Sequence, residues 1–344
     1  MLDAAFIFPA VKGIQATKEY YTSMVPLGVI PQLFHFTDDN LPPESKSQRT
    51  LNTSRIPEMC NYILANPSSY VFSSLTVSVD GPLEFAPVNE ANPAIGHIRI
   101  PMDARFLIND GQHRQAAIAE AIKKNPDLKK EHISVVFYRD EGLQRSQQMF
   151  SDLNRYAIRP TRSINILYNS REEDSIIAKK VVDSVPSFIG LTEKEKTAIS
   201  NRSIALFTLS AICTATSELL KDIAMSLDEK MELAVTFWNT VANYMIGWGE
   251  VKQGHMKSSE LRKNYVSSLS ITLVAIGAAG NELLRSNPDH WQEKLEKLKT
   301  IDWQKNNPLW EGLIFVNGKV AANRATQKAM SAYITSYLIG EAGA

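Results

Sequence analysis

Cysteine is almost missing from this chain. Cys60 and Cys213 are the only two in 344 residues, they lie in different halves, and neither has a metal-type partner close by in sequence. A disulfide framework is therefore not expected, and the two thiols read as reduced core residues of a protein in a reducing cytoplasm. An excess of either charge is missing too, since Lys plus Arg and Asp plus Glu both number 37. A protein that coats DNA without regard to sequence needs a basic surface, so this balance counts against that role while leaving room for a local basic stripe. The most apolar run, residues 269–279, is too short to span a bilayer and contains Ser270 and Thr272. The opening stretch has Asp3 and a brief apolar segment with no basic region before it, so it does not read as a secretory signal. No membrane association is expected. Also absent are a Gly-rich phosphate loop ending in Gly-Lys-Ser/Thr, a dinucleotide fingerprint, a His-Glu-x-x-His pair and a nucleophile elbow. His35, His97, His132 and His290 lack metal-type companions in sequence, so no metal site is expected.

What is there is an ordinary globular composition, 44% apolar and 22% charged, in a chain long enough for two domains or one large one. The first half mixes strands and helices. Ser54-Arg55-Ile56-Pro57-Glu58 reads as a helix start with proline in the first turn. Apolar residues follow at helical spacing through residues 57–65, and Asn66-Pro67 ends the run. Residues 70–79 are rich in strand formers, with Leu75, Val77 and Val79 alternating. Residues 104–109 read as a short strand, 112–124 as a helix, and the continuous apolar run 133–138 as a buried strand. Residues 144–153 look helical. From about Ser163 strand signals thin out, and residues 203–221, 228–246 and 258–285 carry helical periodicity. Phe237 and Trp238 read as core, and Gly247-Trp248-Gly249-Glu250 as a loop between helices. Asn317-Gly318 between apolar runs signals a hairpin. The expected fold class is α+β, with an α/β-like N-terminal half. The expected domains are residues 1–160 and a mainly helical 161–344 whose short C-terminal hairpin packs back.

The richest chemistry sits in Asp110-Gly111-Gln112-His113-Arg114, at the handover from strand to helix. Asp110 suits an N-cap, because its carboxylate can accept the free amides of a first turn. Gly111 permits a sharp turn. The first-turn amides and the helix dipole favour an anion, and His113 and Arg114 add donors of the kind that grip phosphate. The bland reading, a capped helix with solvated basic residues, stays open beside it. A second candidate is Gln48-Arg49-Thr50-Leu51-Asn52 running to Arg55, which brings two cations and an amide to a helix entry. A third is Asp152, Asn154, Arg155, Arg159 and Arg162, where three arginines within eight residues suit a phosphate backbone. Lys252, His255, Lys257, Arg262 and Lys263 form a weaker basic stretch in the helical half.

Several strings together resemble the DndB family, the DNA sulfur-modification protein B of bacterial phosphorothioate systems. They are Phe8-Pro9-Ala10-Val11-Lys12-Gly13-Ile14-Gln15-Ala16, Gln48-Arg49-Thr50-Leu51-Asn52, the Asp-Gly-Gln-His-Arg box, Phe150-Ser151-Asp152-Leu153-Asn154-Arg155, Trp310-Glu311-Gly312 and Asn317-Gly318-Lys319. The order of elements around the box also looks like a distant variant of the ParB/sulfiredoxin plan. There a short box ending in Arg holds nucleotide phosphates between strand and helix. The resemblance implies a ParB-like mixed-sheet core followed by a mainly helical half, and a regulator that binds double-stranded DNA near the promoter of its own modification system. It implies phosphate or nucleotide contacts by Gly111, Gln112, His113 and Arg114, with Arg49 and Arg55 completing the pocket. With the residue reading above, the expected DNA contacts are Asn154, Arg155, Arg159 and Arg162. The implied ligand is ATP or another nucleoside triphosphate with Mg2+. The implied partners are other proteins of the system and a second copy of the chain. The alternative is a nucleoside triphosphatase or DNA nickase using Asp110 and His113, and a third reading is a scaffold that contacts the sulfur-transfer machinery and has no chemistry of its own.

Overall fold

Apolar residues at every second position require a sheet with one dry face, and the first half builds one. The computed structural model describes residues 4–34, 51–155 and 160–340, and the chain divides into two compact units, Met1–Ile158 and Arg159–Ala344. In the first unit, strands β1 (Ala5–Gln15), β2 (Lys18–Pro26), β3 (Leu75–Asp80), β4 (Glu84–Pro87), β5 (Ile95–Pro101), β6 (Arg105–Asp110) and β7 (His132–Arg139) form one sheet. Its order is β4-β5-β1-β2-β7-β3-β6, antiparallel except where β3 runs parallel to β7. The helices of this unit are α1 (Ile30–Leu33), α2 (Ile56–Ala65), α3 (Gln112–Lys124) and α4 (Leu143–Arg155). Phe8, Tyr21, Val77, Ile98 and Phe137 bury the inner face of the sheet, and Cys60 and Ile63 of α2 with Ala117 and Ile118 of α3 share that core.

The β1–β2 hairpin closes through Ala16 and Thr17, whose φ angles are 48° and 67°. Two left-handed residues match the twist of the flanking strands, at a local strain of roughly 1–2 kcal/mol each for residues with a Cβ. The strand expected over residues 70–79 is shorter than its composition suggests and begins only at Leu75. Val71 donates its amide to the Tyr62 hydroxyl at 2.9 Å, and the carbonyls of Ser73 and Ser74 accept from Arg114. These side chains satisfy backbone groups that a ladder would otherwise use.

The second unit is mainly helical: α5 (Arg162–Tyr168), α6 (Glu173–Ser184), α7 (Leu209–Leu219), α8 (Leu227–Tyr244), α9 (Ile246–Lys252), α10 (Ser258–Asn264), α11 (Ser270–Ser286), α12 (Trp291–Leu295) and α13 (Arg324–Ile339). Two small ribbons accompany them: β8 (Thr192–Glu193) with β9 (Phe207–Thr208), and β10 (Phe315–Val316) with β11 (Lys319–Val320). Asn317-Gly318 forms the two-residue turn of the second ribbon, as the dipeptide implied. Phe237, Trp238 and Trp248 are fully buried, and Phe207 packs edge-on to Trp248 with ring centroids 4.9 Å apart. Gly277 lets α11 cross close to α7, because a Cβ there would sit 2.1 Å from the Ala215 carbonyl oxygen.

Three sequence expectations are corrected in this unit. Residues 258–285 form two helices rather than one. The break comes where Val266 donates to the Trp303 carbonyl at 2.9 Å and Lys305 to the Asn264 carbonyl at 2.8 Å, so a neighbouring segment takes the backbone groups a helix would use. Residues 247–250 are not a loop but part of α9, held by the burial of Trp248. The helix expected over 203–221 starts only at Leu209, after Phe207 and Thr208 have paired with Thr192 and Glu193. Both cysteines are buried and unpaired with each other, and burial pushes the Cys213 thiol up. Among the described residues no helix is long and apolar enough to cross a membrane.

Candidate functional site

β6 reaches the box through a bulge. Val77 pairs with Ile108 and Thr76 with Asp110, so Asn109 is the extra residue. The slip turns Asp110 to a face that strict alternation would deny it. Asn109 itself is 1% exposed and donates its amide to Ser78 Oγ at 2.7 Å and Met149 Sδ at 3.1 Å. Its Oδ1 has no hydrogen-bond partner among the described residues.

Gly111 then makes the turn at φ 104° and is itself the N-cap of α3. A Cβ at this position would lie 2.4 Å from Leu75 Cδ2. Close packing and backbone conformation therefore both demand glycine here. The expectation that Asp110 caps the helix is overturned. No side chain caps α3, and no acid stands in its first turn. The Asp110 carboxylate instead accepts from Arg114 Nη2 at 2.5 Å, one turn further on. Arg114 Nη1 donates to the carbonyls of Ser73 (2.7 Å) and Ser74 (2.8 Å) and also to Ser73 Oγ. With its side chain only 13% exposed, the guanidinium is a latch between α3 and the segment leading into β3. That segment is tied down in turn: Ser74 Oγ lies 2.5 Å from Ser134 Oγ, and the Tyr70 hydroxyl donates to the Glu131 carboxylate.

The result is a first helical turn whose backbone amides meet no capping side chain, at the positive end of a 13-residue helix, with half-buried Gln112 and His113 on that same turn. Such a turn attracts an anion, because its first amides and the helix dipole act in the same direction. Ser73, Ser74 and Asn109 are the partners that sequence reasoning missed. A Ser-Ser pair before an alternating strand carries no signal that a distant arginine will fold onto it.

The other candidates are scattered. Arg55 is exposed at the entry to α2, where Asn52 accepts from the Ser54 amide at 3.2 Å. Arg49 and Arg159 lie outside the described residues. Asn154 and Arg155 are exposed on the last turn of α4, and the Asn154 amide turns back onto the Phe150 carbonyl at 2.8 Å. Arg162 is exposed at the first position of α5, in the second unit. In the weaker basic stretch, much of the charge is turned inward. Arg262 donates to the carbonyls of Ser200, Asn201, Ser203 and Ala205, and burial holds its pKa below the usual arginine range. Lys252 donates to the Ile189 carbonyl at 2.9 Å, and His255 faces Glu250 at 3.4 Å. Among the described residues no three His, Cys, Asp or Glu side chains cluster as a metal ion would need.

A family model described as DndB, DNA-sulfur modification-associated, matches residues 8–339. No curated protein and no solved structure matches the chain.

Proposed function

The chain belongs to the DndB family of DNA-sulfur modification-associated proteins, and from that premise we propose that it is a DNA-binding regulator of a DNA sulfur-modification system with a phosphate pocket at residues 110–114. The observation that supports the pocket is the uncapped first turn of α3 behind Gly111. The amides of Gln112 and His113, and the side chains on that turn, are the donors for a phosphate group of a nucleoside triphosphate. Arg114 is a positioning residue in this reading: four oxygen acceptors already hold it, and it keeps the turn in place. Arg49 and Arg55 are the further cations this reading assigns to phosphate, and Asn154, Arg155, Arg159 and Arg162 those it assigns to the DNA backbone, Arg49 and Arg159 lying outside the described residues. With Asp110 bonded to Arg114, the box has no second carboxylate to offer a Mg2+ ion that accompanies a triphosphate. Neutral net charge suits a regulator with local contact surfaces. Other proteins of the system and a second copy of the chain are the partners this role calls for.

The test is a binding titration of ATP, CTP and GTP, with and without operator-type duplex, on wild type, His113→Ala and Arg114→Ala. Both variants lose nucleotide affinity at least tenfold while keeping a cooperative melt. Full retention of affinity in both sinks the pocket. The same samples address the enzymatic alternative, in which Asp110 and His113 carry nucleotide hydrolysis or nicking. Metal-dependent phosphate release that disappears in Asp110→Asn would favour it over a purely regulatory role.

A further inference from the structure

The helical unit holds a cavity of about 240 Å³ with no carboxylate in its lining. Its polar lining is Arg162, Thr197, Thr208, Ser210, Thr214, Ser270 and Gln327, and Ile271 and Val274 are among its apolar lining. The position of these residues in their helices is what makes the cavity unusual. Thr208 caps α7 and Ser210 is in its first turn, Ser270 opens α11, and Gln327 lies in the first turn of α13. Three helices of 11, 17 and 16 residues therefore bring their positive ends to one volume. Two of those ends are already capped, by Thr208 and by Asn323. The third, α11, has no side-chain cap and no acid in its first turn.

Two further observations point to a ligand. First, Thr208 and Ser210 are 5% and 8% exposed, and their hydroxyls meet each other at 3.2 Å. Thr208 Oγ1 also accepts the Ala211 amide. The pair owns two hydroxyl protons, and their mutual bond uses one. A buried donor with no acceptor is disfavoured, and a ligand oxygen in the cavity would accept the second proton. Second, the Arg162 guanidinium makes no salt bridge among the described residues although it borders this acid-free space. Its charge draws the Cys213 thiol down, against the larger upward push of burial and of Asp174. Neither Asp174 nor Glu172, the acids that push that thiol up, lines the cavity.

We propose that this cavity binds a phosphate group, with Arg162 as its charged partner and the Thr208–Ser210 pair, the first amides of α11 and the Gln327 side chain as its neutral donors. Arginine with several hydroxyl and amide donors is the chemistry that holds a phosphate mono- or diester. The assignment is independent of the box in the first unit and stands if that pocket fails. Two sources share the chemistry, a nucleic-acid backbone and a small phosphorylated ligand, and the test separates them.

Inorganic phosphate is titrated into the full-length protein by calorimetry against a chloride-matched control, using wild type, Arg162→Gln and Ser210→Ala. Arg114→Ala serves as the background in which the box is disabled. In that background phosphate still binds. Adding Arg162→Gln weakens it at least tenfold, adding Ser210→Ala weakens it several-fold, and the melts without phosphate are unchanged. Duplex DNA is then titrated over a range of salt. If the backbone is the source, Arg162→Gln lowers the slope of log affinity against log salt by about one. If a small ligand is the source, DNA affinity stays and only the phosphate response is lost. Phosphate binding that is absent in the Arg114→Ala background, or indifferent to both Arg162→Gln and Ser210→Ala, overturns the proposal.

Discussion

Asp110 has two competing uses for its carboxylate, and their magnitudes decide between them. A side-chain cap at an exposed helix start is worth about 1 kcal/mol. Leaving a mostly buried guanidinium without its counter-charge costs more than that, even with the solvent screening that the 42% exposed Asp110 side chain allows. Arg114 is 13% exposed, so the carboxylate goes to it and the cap is forgone. Gly111 shows the complementary case, in which a residue's role follows from what it lacks. Gly111→Ala meets Leu75 Cδ2 and an unfavourable φ together. The expected loss is about 1–3 kcal/mol in urea unfolding, with weaker phosphate binding at the first turn. A loss below about 0.5 kcal/mol would mean that neither constraint operates. Gly111 as the turn-maker was legible from its place between strand and helix. The choice made by Asp110 was not, because an acid before a helix has the same local pattern whether it caps or pairs at i+4.

At the scale of the element, the segment between α2 and β3 shapes the candidate pocket although it carries none of its donors. Tyr70 anchors this segment to Glu131, and burial first, with the bond to Glu131, pushes the Tyr70 hydroxyl well above the ordinary tyrosine range. A raised tyrosine value stabilises the fold fully below the unfolded value, and that contribution fades as pH rises through the folded one. The anchor is therefore intact at neutral pH and is lost in strong alkali as the hydroxyl ionises. Tyr70→Phe removes it at any pH and leaves a half-buried carboxylate short of a donor. The expected destabilisation is about 1–3 kcal/mol, with faster amide hydrogen exchange over residues 71–74. Unchanged exchange there would show that Ser73 and Ser74 do not depend on this anchor. Sequence periodicity read this segment as strand because its residues favour strands. Its backbone groups are instead taken by Tyr62 and Arg114, which approach from elsewhere in the chain.

At the scale of the whole molecule, each unit has its own core. One lies between the sheet and its helices, the other around Phe188, Phe207, Trp238 and Trp248. A unit with a private core should fold alone. Residues 159–344 expressed by themselves are expected to give a helical spectrum and a single cooperative melt. A broad, non-cooperative melt would show that this core needs the rest of the chain. The sequence by itself determined the class of each half, the hairpin at Asn317-Gly318 and the glycine turn before α3, because periodicity and turn chemistry act between near neighbours. It also carried family membership, written in strings spread over residues 8–339. The tertiary structure alone decided that Arg114 faces inward, that residues 258–285 break at Tyr265, that Arg262 serves four carbonyls, and that first-turn residues of separate helices line one acid-free cavity. Each of these depends on a partner tens of residues away, and no local pattern encodes which distant backbone or side chain will arrive there.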